Sequence, residues 1–167
     1  MRYKIYIDGD FTNVKNVFID QTVRVKIKCS ICDQEHPNRV VVSEESFNRV
    51  DDKEKTNLKI TCSGCKSSMG ISIRSPKGDR ITIIRDNQPV RLQLSEKEFN
   101  SFYVSFLETK KCELIGEVDV DCSVLSGQKV LYEHITVEDG SWMGVDQKGL
   151  DSRIGDMVVR YEKVKQS

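Results

Sequence analysis

Four cysteines in two identical spacings, Cys29-x2-Cys32 and Cys62-x2-Cys65, are the residues of this chain best suited to chemistry. Each pair closes a near-copy of one phrase, VKIKCSIC at 25–32 and LKITCSGC at 58–65. A Cys-x-x-Cys turn can aim two sulfurs to one side with backbone N–H groups pointing at them. Two such turns complete the four tetrahedral ligands, at about 2.3 Å for sulfur, that structural zinc takes. The spacer of 29 residues between the pairs exceeds the commoner ~15–20, because it must hold two strands and a loop. Cys29, Cys32, Cys62 and Cys65 are therefore read as the ligands of one zinc ion per chain.

Other uses of these sulfurs fit less well. A dithiol oxidoreductase sets one Cys-x-x-Cys at the start of a helix, where the dipole lowers a thiol pKa; here both pairs follow strands. An iron–sulfur cluster also takes four thiolates, but zinc is the commoner occupant of paired knuckles. His36 lies four residues after Cys32 and is a possible substitute ligand; with four sulfurs in place it reads as a turn residue beside Pro37. Asp33 and Lys66 follow the second cysteine of each pair, where glycine often stands, which draws attention to the backbone at both positions. Cys112 and Cys122 lack the paired spacing and read as buried thiols behaving as small hydrophobes. A hydrolase built on either of them with His134 needs a base held within hydrogen-bond reach, and LYEHITVEDG around His134 carries no sign of one.

The elements that must position the sulfurs are strands. Val23, Val25, Ile27 and Cys29 alternate with Arg24, Lys26 and Lys28, and Leu58, Ile60 and Cys62 with Lys59 and Thr61, the period of a strand with one buried face. A polar turn and a second strand follow each pair, RVVV at 39–42 and MGISI at 69–73, so a zinc-ribbon hairpin is written twice. Further strands are predicted at 3–7, 16–19, 80–85, 90–94, 102–107, 117–120, 129–132 and 156–164 from their Val, Ile, Tyr and Phe content. Ser95 to Glu98 matches a capping box, but the aromatic and β-branched residues that follow allow one helical turn at most. Residues 50–57 read as a charged loop between the hairpins. The fold class expected is mainly β, one domain over 1–167, with zinc-ribbon-like hairpins in the first half.

Apolar residues make up 38% and charged residues 31% of the 167, a thin core that gains from a metal staple. No apolar run is long enough to span a membrane, and MRYKIYIDGDF is too charged for a signal peptide. Six cysteines in a cytosolic or nuclear protein point to metal or redox use and not to disulfides. Formal charge is zero overall. Residues 1–85 carry 16 Lys/Arg against 11 Asp/Glu, and residues 86–167 carry 10 against 15. A tetrathiolate zinc site offsets part of the first-half excess, leaving too little for a strong phosphate-binding surface.

The four cysteines, FYVSFLETKKCEL at 102–114 and DGSWMGVDQKGLDSRIGDMVV at 139–159 together resemble the eukaryotic family of small CXXC-motif-containing zinc-binding proteins, over essentially the whole chain. Its metal pairs match Cys29/Cys32 and Cys62/Cys65. Its Trp-x-x-Tyr-Asp matches Trp142 and Asp146 with Val145 at the tyrosine position, and Ile154-Gly155 resembles the Val-Gly that follows. The chain departs where relatives read Cys-Arg-Gly-Leu-Glu-Pro: TKKCELIGEVD lacks the Arg-Gly and the Pro. The resemblance implies a mostly β protein of two related halves, about 1–85 with zinc and 86–167 without, and no established enzymatic activity. YVSFLE is taken as the counterpart of RVKIKC, and WMGVD as occupying the place of the second knuckle strand. Trp142 reads as a core residue of the metal-free half.

The function expected is a non-catalytic zinc-binding protein with a structural four-cysteine site, a scaffold for protein partners, monomeric and cytoplasmic or nuclear. Its alternatives are metal trafficking, a GTPase-chaperone-like module by fold analogy, and, behind these, a thiol redox enzyme. Nucleic-acid binding is disfavoured, because the basic strand 24–28 carries no interleaved aromatics.

Overall fold

The computed structural model describes residues 1–46, 48–51 and 54–165, and among them there is no helix. Strand β1 (Arg2–Thr12) passes through Asn13 into β2 (Val14–Cys29), and β3 (Val40–Ser43) returns against β2. A short hairpin, β4 (Asn48–Asp51) and β5 (Glu54–Thr56), precedes β6 (Leu58–Thr61) and β7 (Ser68–Arg74). A second hairpin, β8 (Arg80–Arg85) and β9 (Gln88–Gln93), leads through β10 (Glu96–Glu98) to β11 (Ser101–Lys110), which passes through Lys111 into β12 (Cys112–Ser126). The chain closes with β13 (Leu131–Tyr132), β14 (Trp142–Val145) and β15 (Asp151–Val164).

Two sheets face each other. One runs β14-β15-β1-β11-β7-β6, with β10 beside β11; the other runs β13-β12-β2-β3. Exchanging β1 with β11, β2 with β12, β3 with β13, β6 with β14 and β7 with β15 maps each order onto itself, so the topology has a two-fold pattern about the β1/β11 and β2/β12 seams. Under this exchange β11, and not β12, answers to β1. YVSFLE in β11 is thus the counterpart of the first strand, and the counterpart of RVKIKC lies in β12, one strand later than expected. The corners also correspond, since Asn13 and Lys111 both take a left-handed backbone, φ 53° and 61°.

Alternation drives this packing. Ile5, Ile7, Val23, Val25, Ile27, Phe102, Val104 and Leu107 are buried between the sheets. The predicted strands 16–19 and 23–29 are one strand, bent by an irregularity near Gln21. That side chain is buried but satisfied, its amide N–H donating to the Val104 carbonyl at 2.8 Å while its oxygen accepts from the Ser105 hydroxyl at 2.8 Å. Phe18 points away from the main core and is buried with Leu125 and Leu92 under the β8–β9 hairpin. Asp86 and Asn87 turn that hairpin with both residues at positive φ, as a type I′ turn requires.

Two expectations are corrected. Residues 96–98 are strand β10 and not a helical turn, because Asn16 holds Ser95 from both sides. Asn16 Oδ1 accepts the Ser95 N–H at 3.0 Å, and its amide donates to the Ser95 carbonyl at 2.8 Å, which leaves the capping role unused. Much of the charged segment 50–57 is paired as β4–β5 instead of looped; residues 52 and 53 lie outside the described residues.

Candidate metal centre

β2 ends at Cys29 and β6 leads into Cys62, and the two turns that follow are built alike. The Asp33 N–H donates to the Cys29 carbonyl and the Lys66 N–H to the Cys62 carbonyl, each at 3.0 Å; the N–H groups of Cys29 and Cys62 donate to the carbonyls of Gln34 and Ser67, each at 2.9 Å. Asp33 and Lys66 close these turns at φ 60° and 64°. The glycine-like backbone needed after each second cysteine is thus present, carried here by an Asp and a Lys at some conformational cost.

The turns meet face to face. Cys29 Sγ lies 3.6 Å from Cys65 Sγ and Cys32 Sγ 3.5 Å from Cys62 Sγ, and all four sulfurs fall within 4.8 Å of one another. A disulfide needs about 2.05 Å, whereas a tetrahedron of sulfurs about 2.3 Å from a central zinc has edges of about 3.8 Å. The donor set therefore fits zinc in number, chemistry and spacing. Two features that sequence reasoning missed seat the turns. The Gln34 amide donates to the Ser63 hydroxyl at 2.8 Å, joining one knuckle to the other, and Gly64 leaves room for that amide, since a Cβ there would lie 2.2 Å from Gln34 Oε1. Only the glycine of LKITCSGC hinted at this approach.

Local hydrogen bonds favour the thiolate, as a metal requires, at two of the sulfurs, whereas at Cys32 the Gln34 backbone bond is outweighed by the neighbouring cysteine sulfurs and burial, which push that thiol up to about 11. Cys62 is lowered by the N–H groups of Cys65 and Gly64. Cys65 is lowered to about 6 by the Ser67 hydroxyl and N–H, with that hydroxyl 3.1 Å from its sulfur. In metal-stripped protein, alkylation of Cys65 should rise through an apparent pKa near 6, and Ser67→Ala should move that midpoint upward. Because the folded pKa is depressed, Cys65 contributes stability above its ordinary thiol range and loses it as pH falls through about 6.

The remaining candidates lie elsewhere. His36 Nδ1 sits 2.8 Å from the Asn38 carbonyl and outside the sulfur cluster. His134 Nε2 faces Asp20 at 3.1 Å. Cys112 and Cys122 are buried, and burial pushes both thiols up to about 11. Trp142 packs partly buried against the core with Tyr132 edge-on at 5.1 Å. Of the basic strand, Arg24 is committed to Asp119 at 2.6 Å and Asp121 at 3.2 Å.

Topologically equivalent turns end β12 and β14, each one residue shorter. Ser126 stands in the place of Cys29: its N–H donates to the Val130 carbonyl at 2.9 Å, its hydroxyl accepts the Val130 N–H at 3.0 Å, and Lys129 closes the turn at φ 64°. Asp146 stands in the place of Cys62: its carboxylate accepts the N–H groups of Lys148 and Leu150 at 2.9 Å each, and Gly149 closes at φ 79°. Where sulfurs join the first pair of turns, one amide joins the second. Asn13 Nδ2 donates to Gln128 Oε1 at 2.6 Å, the Asp151 carbonyl at 3.1 Å and the Ser152 hydroxyl at 3.3 Å. Asn13→Ala should cost about 1–3 kcal/mol by leaving these acceptors unpaired, measured by denaturant unfolding, with zinc content unchanged.

A family model described as CXXC motif containing zinc binding protein, eukaryotic, matches residues 4–162. The chain belongs to this family. Within it, an uncharacterized protein of Encephalitozoon cuniculi, ECU01_0250, is 31% identical over 171 residues, spanning 99% of this chain and all of that protein. The solved structure described as C1orf123 superposes with a TM-score of 0.74 over 98% of this chain and all of that one, at 14% identity. A hypothetical protein from Plasmodium falciparum superposes with a TM-score of 0.72 over 97% of this chain and 99% of that one, also at 14% identity. At such identity these structures speak for the shared fold alone. Family membership and the clustered thiols agree on zinc binding, and no enzyme activity is indicated by these relatives. Among the described residues no helix is long and apolar enough to cross a membrane.

Proposed function

We propose that Cys29, Cys32, Cys62 and Cys65 hold one zinc ion per chain, and that the protein is a non-catalytic, zinc-stabilised scaffold for a protein partner. The observation that carries this reading is the closed donor set: four protein sulfurs within 4.8 Å fill a tetrahedral shell. Zinc so bound supplies a cross-link between two turns and no open position for water or substrate. The chain's residues do the rest. Gln34 and Ser63 align the knuckles, and the N–H groups at Gly64, Cys65 and Ser67 stabilise the Cys62 and Cys65 thiolates. A cleft of about 410 Å³ away from the sulfurs, lined by Asp20, Glu44, Glu45, Arg80, Arg85 and Arg91, mixes opposite charges. Arg85 within it is engaged by Asp20 and Glu133, which leaves no single polarity to attract a substrate. The two-fold strand exchange supports a duplicated unit, of which the copy within about 1–85 keeps the metal and the copy within 86–167 replaces it with Ser126, Asp146 and the Asn13 amide.

Metal transfer is the second reading, favoured by one observation: Cys32 is exposed and Cys65 half-buried, so an incoming thiol can reach the shell. A chelator time course separates the two. A scaffold releases zinc only as its β-sheet circular dichroism is lost, whereas a carrier exchanges zinc with its spectrum intact. The scaffold reading further expects a partner captured by the zinc-loaded protein and lost from the zinc-stripped one.

A further inference from the structure

The zinc ligand Cys29 has a second sulfur directly across the sheet. Cys112 is its register partner, β12 against β2. The Cys29 N–H goes to the Gln34 carbonyl, the Cys112 carbonyl accepts from the Thr109 hydroxyl at 2.7 Å, and the Ser30 N–H donates to the Lys111 carbonyl at 3.0 Å. The two cysteines therefore form a non-hydrogen-bonded pair, the kind in which side chains on one face come closest, with Cα atoms about 4.5 Å apart. That separation falls within the roughly 4.4–6.8 Å that a disulfide spans. Both side chains are buried, at 0% and 1% exposure.

We propose that Cys112 is a resolving thiol for the metal centre: when a peroxide-class oxidant opens the shell, Cys29 and Cys112 join as a cross-strand disulfide that keeps zinc out until a dithiol reduces it. This rests on the four sulfurs holding zinc. Cys32 is the exposed member and meets the oxidant first. Its thiolate takes one oxygen from peroxide to give a sulfenic acid and hydroxide, which would leave three of the four sulfurs to hold the ion. Cys29, within 4.8 Å, attacks that sulfur as thiolate and expels hydroxide, forming a Cys29–Cys32 disulfide. Cys112, deprotonated, then attacks the Cys29 sulfur, and Cys32 leaves as a thiolate. The net change is two thiols and one peroxide to one disulfide and two waters. The product ties β2 to β12 across the seam of the two-fold pattern and removes one of four ligands.

The test begins with zinc-loaded protein of measured metal content, so that absence of zinc at the start refutes the four-sulfur reading separately. One molar equivalent of hydrogen peroxide is added, free thiols are alkylated, and peptides are mapped without reduction. The expected product is a Cys29–Cys112 linked peptide with Cys32, Cys62 and Cys65 alkylated. Its appearance should follow zinc release, and zinc uptake should be at least about tenfold slower until dithiothreitol is added, as expected when one of four ligands is locked away. Cys112→Ala, loaded to the parent's zinc content, should lose zinc at the parent's rate but trap the Cys29–Cys32 bond. Parent maps containing only disulfides among Cys29, Cys32, Cys62 and Cys65, with Cys112 alkylated after unfolding, overturn the proposal.

Discussion

Cys62→Ser protein should purify with no zinc and melt at least about 10 °C below the parent. Serine offers a hard, protonated oxygen where zinc takes a soft thiolate, and the three sulfurs left cannot close a tetrahedron. The knuckles are held across their gap mainly by that closure, with the Gln34–Ser63 hydrogen bond as a polar tie beside it. Structural zinc contributes on the order of 10 kcal/mol in small metal-dependent folds. This chain has a continuous core of its own, so part of that suffices. A loss of about 5 kcal/mol at about 2–4 °C per kcal/mol for a chain of this length gives the expected shift. Cys112→Ser serves as the control, with unchanged zinc before any oxidation.

Phe102→Ala should be comparably destabilising while leaving zinc in place. Phe102 sits on β11 at the central seam, fully buried, with Phe11 edge-on at 4.9 Å and the Lys97 ammonium 5.6 Å from its ring centre. Removing a buried phenyl ring costs about 3–5 kcal/mol through lost transfer energy and the cavity left behind, which corresponds to a melting decrease of about 6–20 °C. Metal analysis of the folded variant should still return the parent's zinc content, because the knuckles are tied by neighbours distant in sequence from residue 102. A variant pair in which one loses metal with stability and the other stability alone separates the clasp from the core.

Much of this architecture is legible in the residues. Strict alternation in Val23 to Cys29 specifies a strand by its period of two, and the β-branched run at 80–85 and the aromatic run at 102–107 favour strands by residue type. The cysteine spacing identifies the cluster for a local reason: both pairs ride on strands and aim sulfurs through the same turn. What alternation does not carry is which sheet a strand joins. β1 and β2 read as neighbours in sequence yet lie in different sheets, because Asn13 turns the chain at positive φ, a choice Asn tolerates without demanding. The capping box at Ser95 misleads for a tertiary reason, the amide of Asn16, 79 residues away. The place of Ser126, Asp146 and Asn13 at the topologically matching turns is equally hidden. Single hydrogen-bonding side chains leave no spacing pattern, and they become visible only when β12–β15 are laid over β2–β7.

Whether four thiolates clasp one ion is decided by elemental analysis of the purified protein, by mass spectrometry of dissolved metal. One zinc atom per chain is expected in the parent and none in Cys62→Ser. A parent that is fully folded with no bound metal, and whose melting temperature is unmoved by added zinc or by chelator, would contradict it.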